Sequence, residues 1–152
     1  MTVTVLPEPD GKLRVRAGPV RLSASPLAAA RRHFQVGAFS HRRKDERVSV
    51  VGSDTARITY KVGWGPVSTT VELLACMTLR ERSTAVWFVC SHGLLPLAGQ
   101  WRFEASEDGG CDLYLDQSVD ARRVPPFVPL KRLLAGAIRQ AIVEQVSPKK
   151  QS

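Results

Sequence analysis

Cys90 and His92 are the two residues whose types and spacing come nearest to catalytic chemistry. A thiol beside an imidazole can form a nucleophile with its general base. The surrounding segment, 85–92, has the composition of a strand, and residues two apart on a strand place their Cβ atoms about 6–7 Å apart on one face. No acidic residue is apparent to orient the imidazole. A structural thiol and a surface histidine are therefore the favoured interpretation, and the sequence predicts no catalytic residue.

The other titratable residues show no motif of a catalytic or metal site. The sequence contains no Gly-x-Ser-x-Gly, His-Glu-x-x-His, Walker loop or dinucleotide fingerprint. Its three histidines lack the close spacing of metal ligands. Its three cysteines form no Cys-x-x-Cys, so buried, reduced thiols are expected. We expect neither metal nor cofactor, His33 on an exposed or edge face of a helix, and Glu72 as a solvated carboxylate.

Positive charge is in excess, with 22 Lys and Arg against 14 Asp and Glu and a net charge of +8. The one dense run, 41–47, reads His-Arg-Arg-Lys-Asp-Glu-Arg. Attraction to an anionic membrane is worth about 1 kcal/mol per basic residue, too little for this run alone to hold a protein there. The run has no interleaved aromatics, which disfavours nucleic acid as a partner. A solvated loop is the favoured interpretation, and peripheral membrane contact stays open as an alternative.

The length of 152 residues fits a single domain, which we place at 1–147 with a disordered tail at 148–152. Hydrophobic residues make up 43% of the chain, a globular value that excludes intrinsic disorder as its general state. The first residues lack a signal-peptide pattern, and no stretch reaches the roughly 20 apolar residues of a membrane span. We therefore expect a soluble, cytoplasmic protein without a transmembrane segment.

Period-two alternation predicts most of the secondary structure. Residues 12–22 alternate apolar with basic side chains, as a half-buried strand does. Ser25 and Pro26 then fit the cap and first position of a short helix. From 47 to 121 strands follow one another about every ten residues with turn residues between them. This spacing leaves no room for crossover helices, so the sheet is predicted to be antiparallel.

The C-terminal segment has the clearest helical pattern in the chain. After Pro129, apolar residues recur at spacings of three and four up to Val146, with charged residues on the opposite side. About eighteen residues at 1.5 Å each give a rod of roughly 27 Å, long enough to cross a sheet.

This element order, together with local motifs in 97–146, resembles the START-like superfamily, also called SRPBCC. The stretch Leu97–Glu104 is similar to its Gly-x-Trp-x-Phe strand, and Asp108-Gly109-Gly110 is similar to its hairpin. The superfamily includes polyketide cyclase-like and lipid-carrier proteins. The resemblance implies an α+β helix-grip fold. A curved antiparallel sheet of about six to seven strands would wrap around the long C-terminal helix, with a short helix after the first strand.

A bent sheet cannot lie flat on a straight helix, so a cavity is expected between them, and apolar cavities are the usual sites of small molecules. We predict a binding or carrier function for a hydrophobic small molecule or lipid in this cavity. The alternatives are a cyclase- or aromatase-type enzyme using the same cavity, and a basic surface that binds nucleic acid or membrane. The predicted lining residues are Tyr60, Trp64, Thr69, Val71, Leu73, Met77, Trp101, Phe103, Gln117, Leu134 and Ile138.

Overall fold

The structure, a computed structural model, describes residues 2–36, 47–50, 52 and 54–146. Within these residues eight strands form one antiparallel sheet and two helices pack against it. The elements are β1 (Val3–Pro7), β2 (Lys12–Leu22), α1 (Pro26–Val36), β3 (Arg47–Val50), β4 (Thr55–Trp64), β5 (Val67–Leu79), β6 (Ser83–Cys90), β7 (Leu97–Ala105), β8 (Cys111–Asp120) and α2 (Leu130–Val146).

The sheet is built from sequential hairpins, in the order β1-β2-β8-β7-β6-β5-β4-β3. The first hairpin, β1–β2, joins the sheet by pairing β2 with the last strand, β8. The antiparallel architecture expected from the sequence is confirmed. The sheet has more strands than the expected six to seven because Val3–Pro7 forms a strand of its own opposite β2, and α1 consequently follows the second strand.

One face of the sheet is buried and the other carries the charges. In β8 burial alternates strictly, with Leu113, Leu115 and Val119 inward. In β7 the inward side chains include Trp101 and Phe103, both fully buried. This alternation is the period of two that the sequence shows.

Gly99 allows β7 and β8 to approach closely. A Cβ at this position would overlap the backbone oxygen of Asp116 and lie 2.6 Å from Cα of Gln117. Any residue larger than glycine would push the two strands apart, so the close approach requires glycine at this position.

Helix α1 begins where the sequence predicts, because Ser25 caps it. The Ser25 carbonyl accepts a hydrogen bond from Ala29 N at 2.9 Å, and its hydroxyl accepts one from Ala28 N at 3.4 Å. The helix packs against β5, β6 and β7. His33, expected on an exposed or edge face, is instead buried, because it follows Ala30 and Ala29 by three and four residues and so shares their inward face.

Helix α2 lies against β1 and β2 and buries the middle of its apolar stripe, whereas Leu133 and Val146 remain exposed. The Pro129 carbonyl accepts a hydrogen bond from Leu133 N at 3.1 Å, which closes the first turn. Leu134, Ile138 and Ile142 join the same buried cluster as the inward residues of the sheet. None of the described helices is long and apolar enough to cross a bilayer.

Candidate functional site

The β4–β5 hairpin extends beyond its neighbour in the sheet. Strand β4 pairs with β5 along its whole length, up to Trp64 and Val67, but β6 pairs with β5 only from Leu74 onward. Residues 67–73 therefore run past the end of β6 by a distance on the order of 20 Å. This overhang faces the first half of α2 and leaves a space between the two.

The β6–β7 connection closes one side of that space. The Thr69 hydroxyl accepts a hydrogen bond from Leu94 N at 3.3 Å, and Arg123 Nη1 donates to the Gly93 carbonyl at 3.2 Å. Gly93 has a φ of +83°, in the left-handed region that favours glycine. Together these contacts tie the hairpin, the connection and the segment before α2 to one another.

An apolar cavity of about 170 Å³ remains between these elements. Thr69 supplies a side-chain hydroxyl to its wall, and none of its described lining residues has an ionisable side chain. The lining residues are Val62, Gly63, Trp64, Val67, Ser68, Thr69, Leu94, Leu95, Val124, Val128, Leu130, Leu133, Leu134 and Ala137.

An aromatic pair stands at the mouth of the cavity. The ring centroids of Trp64, at the tip of the hairpin, and Phe127, in the segment before α2, are 6.1 Å apart with an interplanar angle of 43°. Aromatic pairs at such distances attract one another weakly, by roughly 1 kcal/mol. Both rings remain exposed, Trp64 to 40% and Phe127 to 60%. The pair is therefore accessible to solvent at the edge of the cavity.

The residues predicted from the sequence fall into two groups. Trp64, Thr69 and Leu134 line the cavity. The others whose side chains are described do not line it and are buried in the interior: Val71, Leu73, Met77, Trp101, Phe103, Gln117 and Ile138. The side chain of Tyr60, the basic run up to Glu46 and the predicted tail at 148–152 lie outside the described residues.

Sequence reasoning missed the lining residues that lie in connections, such as Leu94, Val124 and Val128. The pattern around Leu94 indicates only a break between strands, and the Pro-rich segment 124–128 indicates only the end of the sheet. Apolar side chains in otherwise polar connections were the available signal, because loops carry many binding residues.

His33 lies deeper, against the aromatic floor of the sheet. Its ring centroid is 4.9 Å from that of Trp101 and 5.7 Å from that of Phe103. Burial lowers the pKa of His33 to about 3, because the charged form would lose its hydration. The imidazole is therefore neutral at physiological pH and forms part of the core.

Cys90 and His92 do not form a catalytic pair. Cys90 Sγ donates to the backbone carbonyl of His92 at 3.3 Å, while the side chain of His92 is exposed beyond the end of β6. Cys90 and Cys111 are buried as expected, but Cys76 is exposed because it lies on the outer face of β5. Among the described residues, no cluster of three or more His, Cys, Asp or Glu side chains could hold a metal ion.

Two larger grooves, of about 360 and 470 Å³, lie on the outer face of the sheet. Both include Asp116, which receives two hydrogen bonds from Arg14 at 2.6 and 2.7 Å. Arg102, in the smaller groove, stacks over the Tyr114 ring at 4.7 Å. Charged groups that are already paired make these grooves poorer sites for an apolar ligand than the cavity beside α2.

No protein-family model matches the sequence, and no curated protein matches it. Solved structures do match. The human StarD13 (DLC2) lipid transfer and protein localization domain is 12% identical, with a TM-score of 0.62 over 97% of this chain and 90% of that one. TTHA0849 from Thermus thermophilus is 18% identical, with a TM-score of 0.59 over 88% of this chain and 90% of that one.

The di-domain ARO/CYC protein StfQ from the steffimycin biosynthetic pathway is 11% identical, with a TM-score of 0.63 over 91% of this chain and 51% of that one. At these identities the similarity shows the fold. The chain has the START-like helix-grip fold that the sequence predicted, with an α+β architecture of an antiparallel sheet and a long C-terminal helix.

Proposed function

We propose that this protein binds or carries a hydrophobic small molecule or lipid in the cavity between the β4–β5 hairpin and α2. The cavity itself carries the proposal: it is apolar, partly enclosed, and offers the hydroxyl of Thr69 to orient a ligand. Small-molecule sites commonly combine an apolar wall with a few polar groups in this way. Of the residues predicted from the sequence, Trp64, Thr69 and Leu134 would contact the ligand directly.

The volume limits what the cavity can hold. At about 170 Å³ it is close to an apolar cavity of roughly 150 Å³ that accepts benzene in another protein. Typical ligand sites begin near 300 Å³. A single ring or a short alkyl group fits this volume, and a larger ligand would need Trp64 and Phe127 to move apart.

The cyclase-type alternative draws less support from the cavity. An enzyme that cyclises or dehydrates its substrate needs acid–base side chains next to the reacting atoms. The described lining residues offer none, and His33 lies against Trp101 and Phe103 rather than in the lining. A binding function therefore requires fewer assumptions about this site than a catalytic one does.

A ligand panel with a blocked variant tests the proposal. Native mass spectrometry should detect a bound fatty acid, aromatic polyketide or similar apolar compound. At a free concentration of about 100 times its dissociation constant, such a ligand should add about 2.7 kcal/mol to the free energy of unfolding. For a chain of this length that raises Tm by roughly 5–10 °C.

Val67→Phe fills the cavity and should abolish the shift. Val89→Phe is the matched control, because Val89 is a strand valine on the outer face that is 44% exposed. The proposal fails if no apolar compound binds, or if binding survives Val67→Phe unchanged.

A further inference from the structure

Three connections meet at the end of the sheet where the cavity opens. The β4–β5 turn follows the pairing of Trp64 with Val67, and the β6–β7 connection follows the pairing of Cys90 with Leu97. Leu97 also pairs with Val119 near the end of β8, so the segment leading to α2 starts at this end too. We call segments 61–70, 91–96 and 121–133 together the mouth surface.

The mouth surface is basic. Its three segments contain no Asp or Glu, and their basic side chains are Lys61, Arg122, Arg123, Lys131 and Arg132. Arg122 pairs with Asp120 at 2.7 Å. Lys131 and Arg132, both exposed in the first turn of α2, form no ion pair with any described residue. Two positive charges next to the cavity are therefore available to an anionic partner.

The acidic residues at this end of the sheet lie outside the three segments, at Asp120 on β8 and in the β1–β2 turn. Asp10, in the β1–β2 turn, pairs with Lys12 at 3.8 Å, and this turn lies beside Arg122. Glu8 is in the same turn. At the opposite end, the turns at 80–82 and 106–110 carry Glu81, Glu107 and Asp108 against Arg80 and Arg82. The three segments of the mouth surface therefore carry only positive charge, whereas the turns at the opposite end carry both signs.

Exposed apolar side chains lie among these charges. Trp64 is 40% exposed, Phe127 60% and Leu133 37%, and Trp64 and Leu133 also line the cavity. Aromatic rings beside Lys and Arg are characteristic of protein surfaces that lie in the headgroup region of a bilayer. Exposed apolar patches rimmed by polar groups commonly mark interaction sites.

We propose that the mouth surface docks on an anionic lipid bilayer. Trp64 and Phe127 enter the headgroup region, and Lys131 and Arg132 face the charged lipids. This orientation directs the cavity opening at the membrane, so an apolar ligand can pass between bilayer and protein without crossing water. Docking does not depend on ligand binding, so its test is independent of the one above.

Co-sedimentation with vesicles tests the charges. The protein should bind vesicles of phosphatidylcholine with phosphatidylserine at low salt, and should bind pure phosphatidylcholine or high-salt samples much less. Each positive charge contributes about fivefold, so Lys131→Gln with Arg132→Gln should weaken binding roughly 30-fold. Arg80→Gln with Arg82→Gln makes the same charge change at the opposite end and should leave binding within about twofold of wild type.

A second pair of variants tests the insertion of apolar side chains into the bilayer. Phe127→Ala should weaken binding about tenfold, since it removes an inserted ring. Trp87→Ala should not, because Trp87 is 43% exposed but lies on the outer face of the sheet. Brominated lipids should quench Trp64 fluorescence, and the quenching should be lost in Trp64→Phe.

Three results would overturn the proposal: equal losses in the two charge variants, no effect of Phe127→Ala, or no quenching of Trp64. Tighter binding to a DNA or RNA fragment than to vesicles, lost in Lys131→Gln with Arg132→Gln but kept in Phe127→Ala, would also overturn it in favour of a nucleic-acid surface.

Discussion

The buried His33 should make the stability of the protein depend on pH in a defined window. Its pKa is 6.5 in a model peptide and about 3 in the folded chain, lowered by burial. Between these values the unfolded chain binds a proton that the native state does not bind. Stability from this residue is therefore fully present above about pH 6.5 and is lost as the pH falls toward 3. The slope is about 1.4 kcal/mol per pH unit, and the loss at pH 5 is about 2 kcal/mol.

Other groups do not obscure this window. Hydrogen bonds from Arg21 and Arg122 lower the pKa of Asp108 and Asp120, respectively. Carboxyl groups with lowered pKa values take up protons below about pH 4, beyond the range that matters here. A fall in stability between about pH 7.5 and 5 can therefore be assigned to histidine.

Urea unfolding followed by circular dichroism at several pH values measures the effect. His33→Phe keeps a ring against Trp101 and Phe103 but cannot titrate, so its free energy of unfolding should be flat across this range. His92→Gln alters an exposed histidine and should keep the wild-type slope. The reasoning is refuted if wild type shows no slope, or if His33→Phe retains it.

Two further changes test the packing of the sheet. Trp101 has no exposed surface, so Trp101→Ala should lower the free energy of unfolding by about 3–5 kcal/mol, whereas Trp87→Ala should lower it by less than about 1 kcal/mol. Equal losses of Tm in the two variants would contradict the assignment of the inner face. Gly99→Ala should destabilise by about 1–3 kcal/mol in chemical denaturation, because its Cβ would overlap the β8 backbone. A gain in stability there, as alanine gives at an unstrained site, would show that the strands can separate at no cost.

Local patterns were enough to predict the framework. The stripe of α2 predicted that Leu134 and Ile138 would be buried, since residues three and four apart share a helix face. The cap at Ser25 marked the start of α1 for a similarly local reason. The same spacing places Ala29, Ala30 and His33 on one face of α1, so the burial of His33 was predictable in principle. The polarity of histidine favoured an exposed position instead.

The cavity depends on information that is not local. It exists because residues 67–73 of β5 extend past the end of β6. The sequence of β5 does not indicate at which residue its pairing with β6 begins. Alternation gives the same inward face to Thr69, which lines the cavity, and to Leu73, which is fully buried away from it. The sequence could therefore predict which side chains point inward, but not which of them border empty space.

The overhang also links the two proposed roles while keeping them separable. Val67 lies inside the cavity and Phe127 at its rim. If the protein both carries a ligand and docks on membranes, Val67→Phe should reduce ligand binding and Phe127→Ala should reduce vesicle binding. Phe127→Ala also removes one half of the aromatic pair at the mouth, which should speed ligand entry and release without removing the binding site. Faster exchange at nearly unchanged affinity, together with weaker vesicle binding, is the combined result expected of a rim residue. A loss of affinity as large as that in Val67→Phe would instead make Phe127 part of the binding wall.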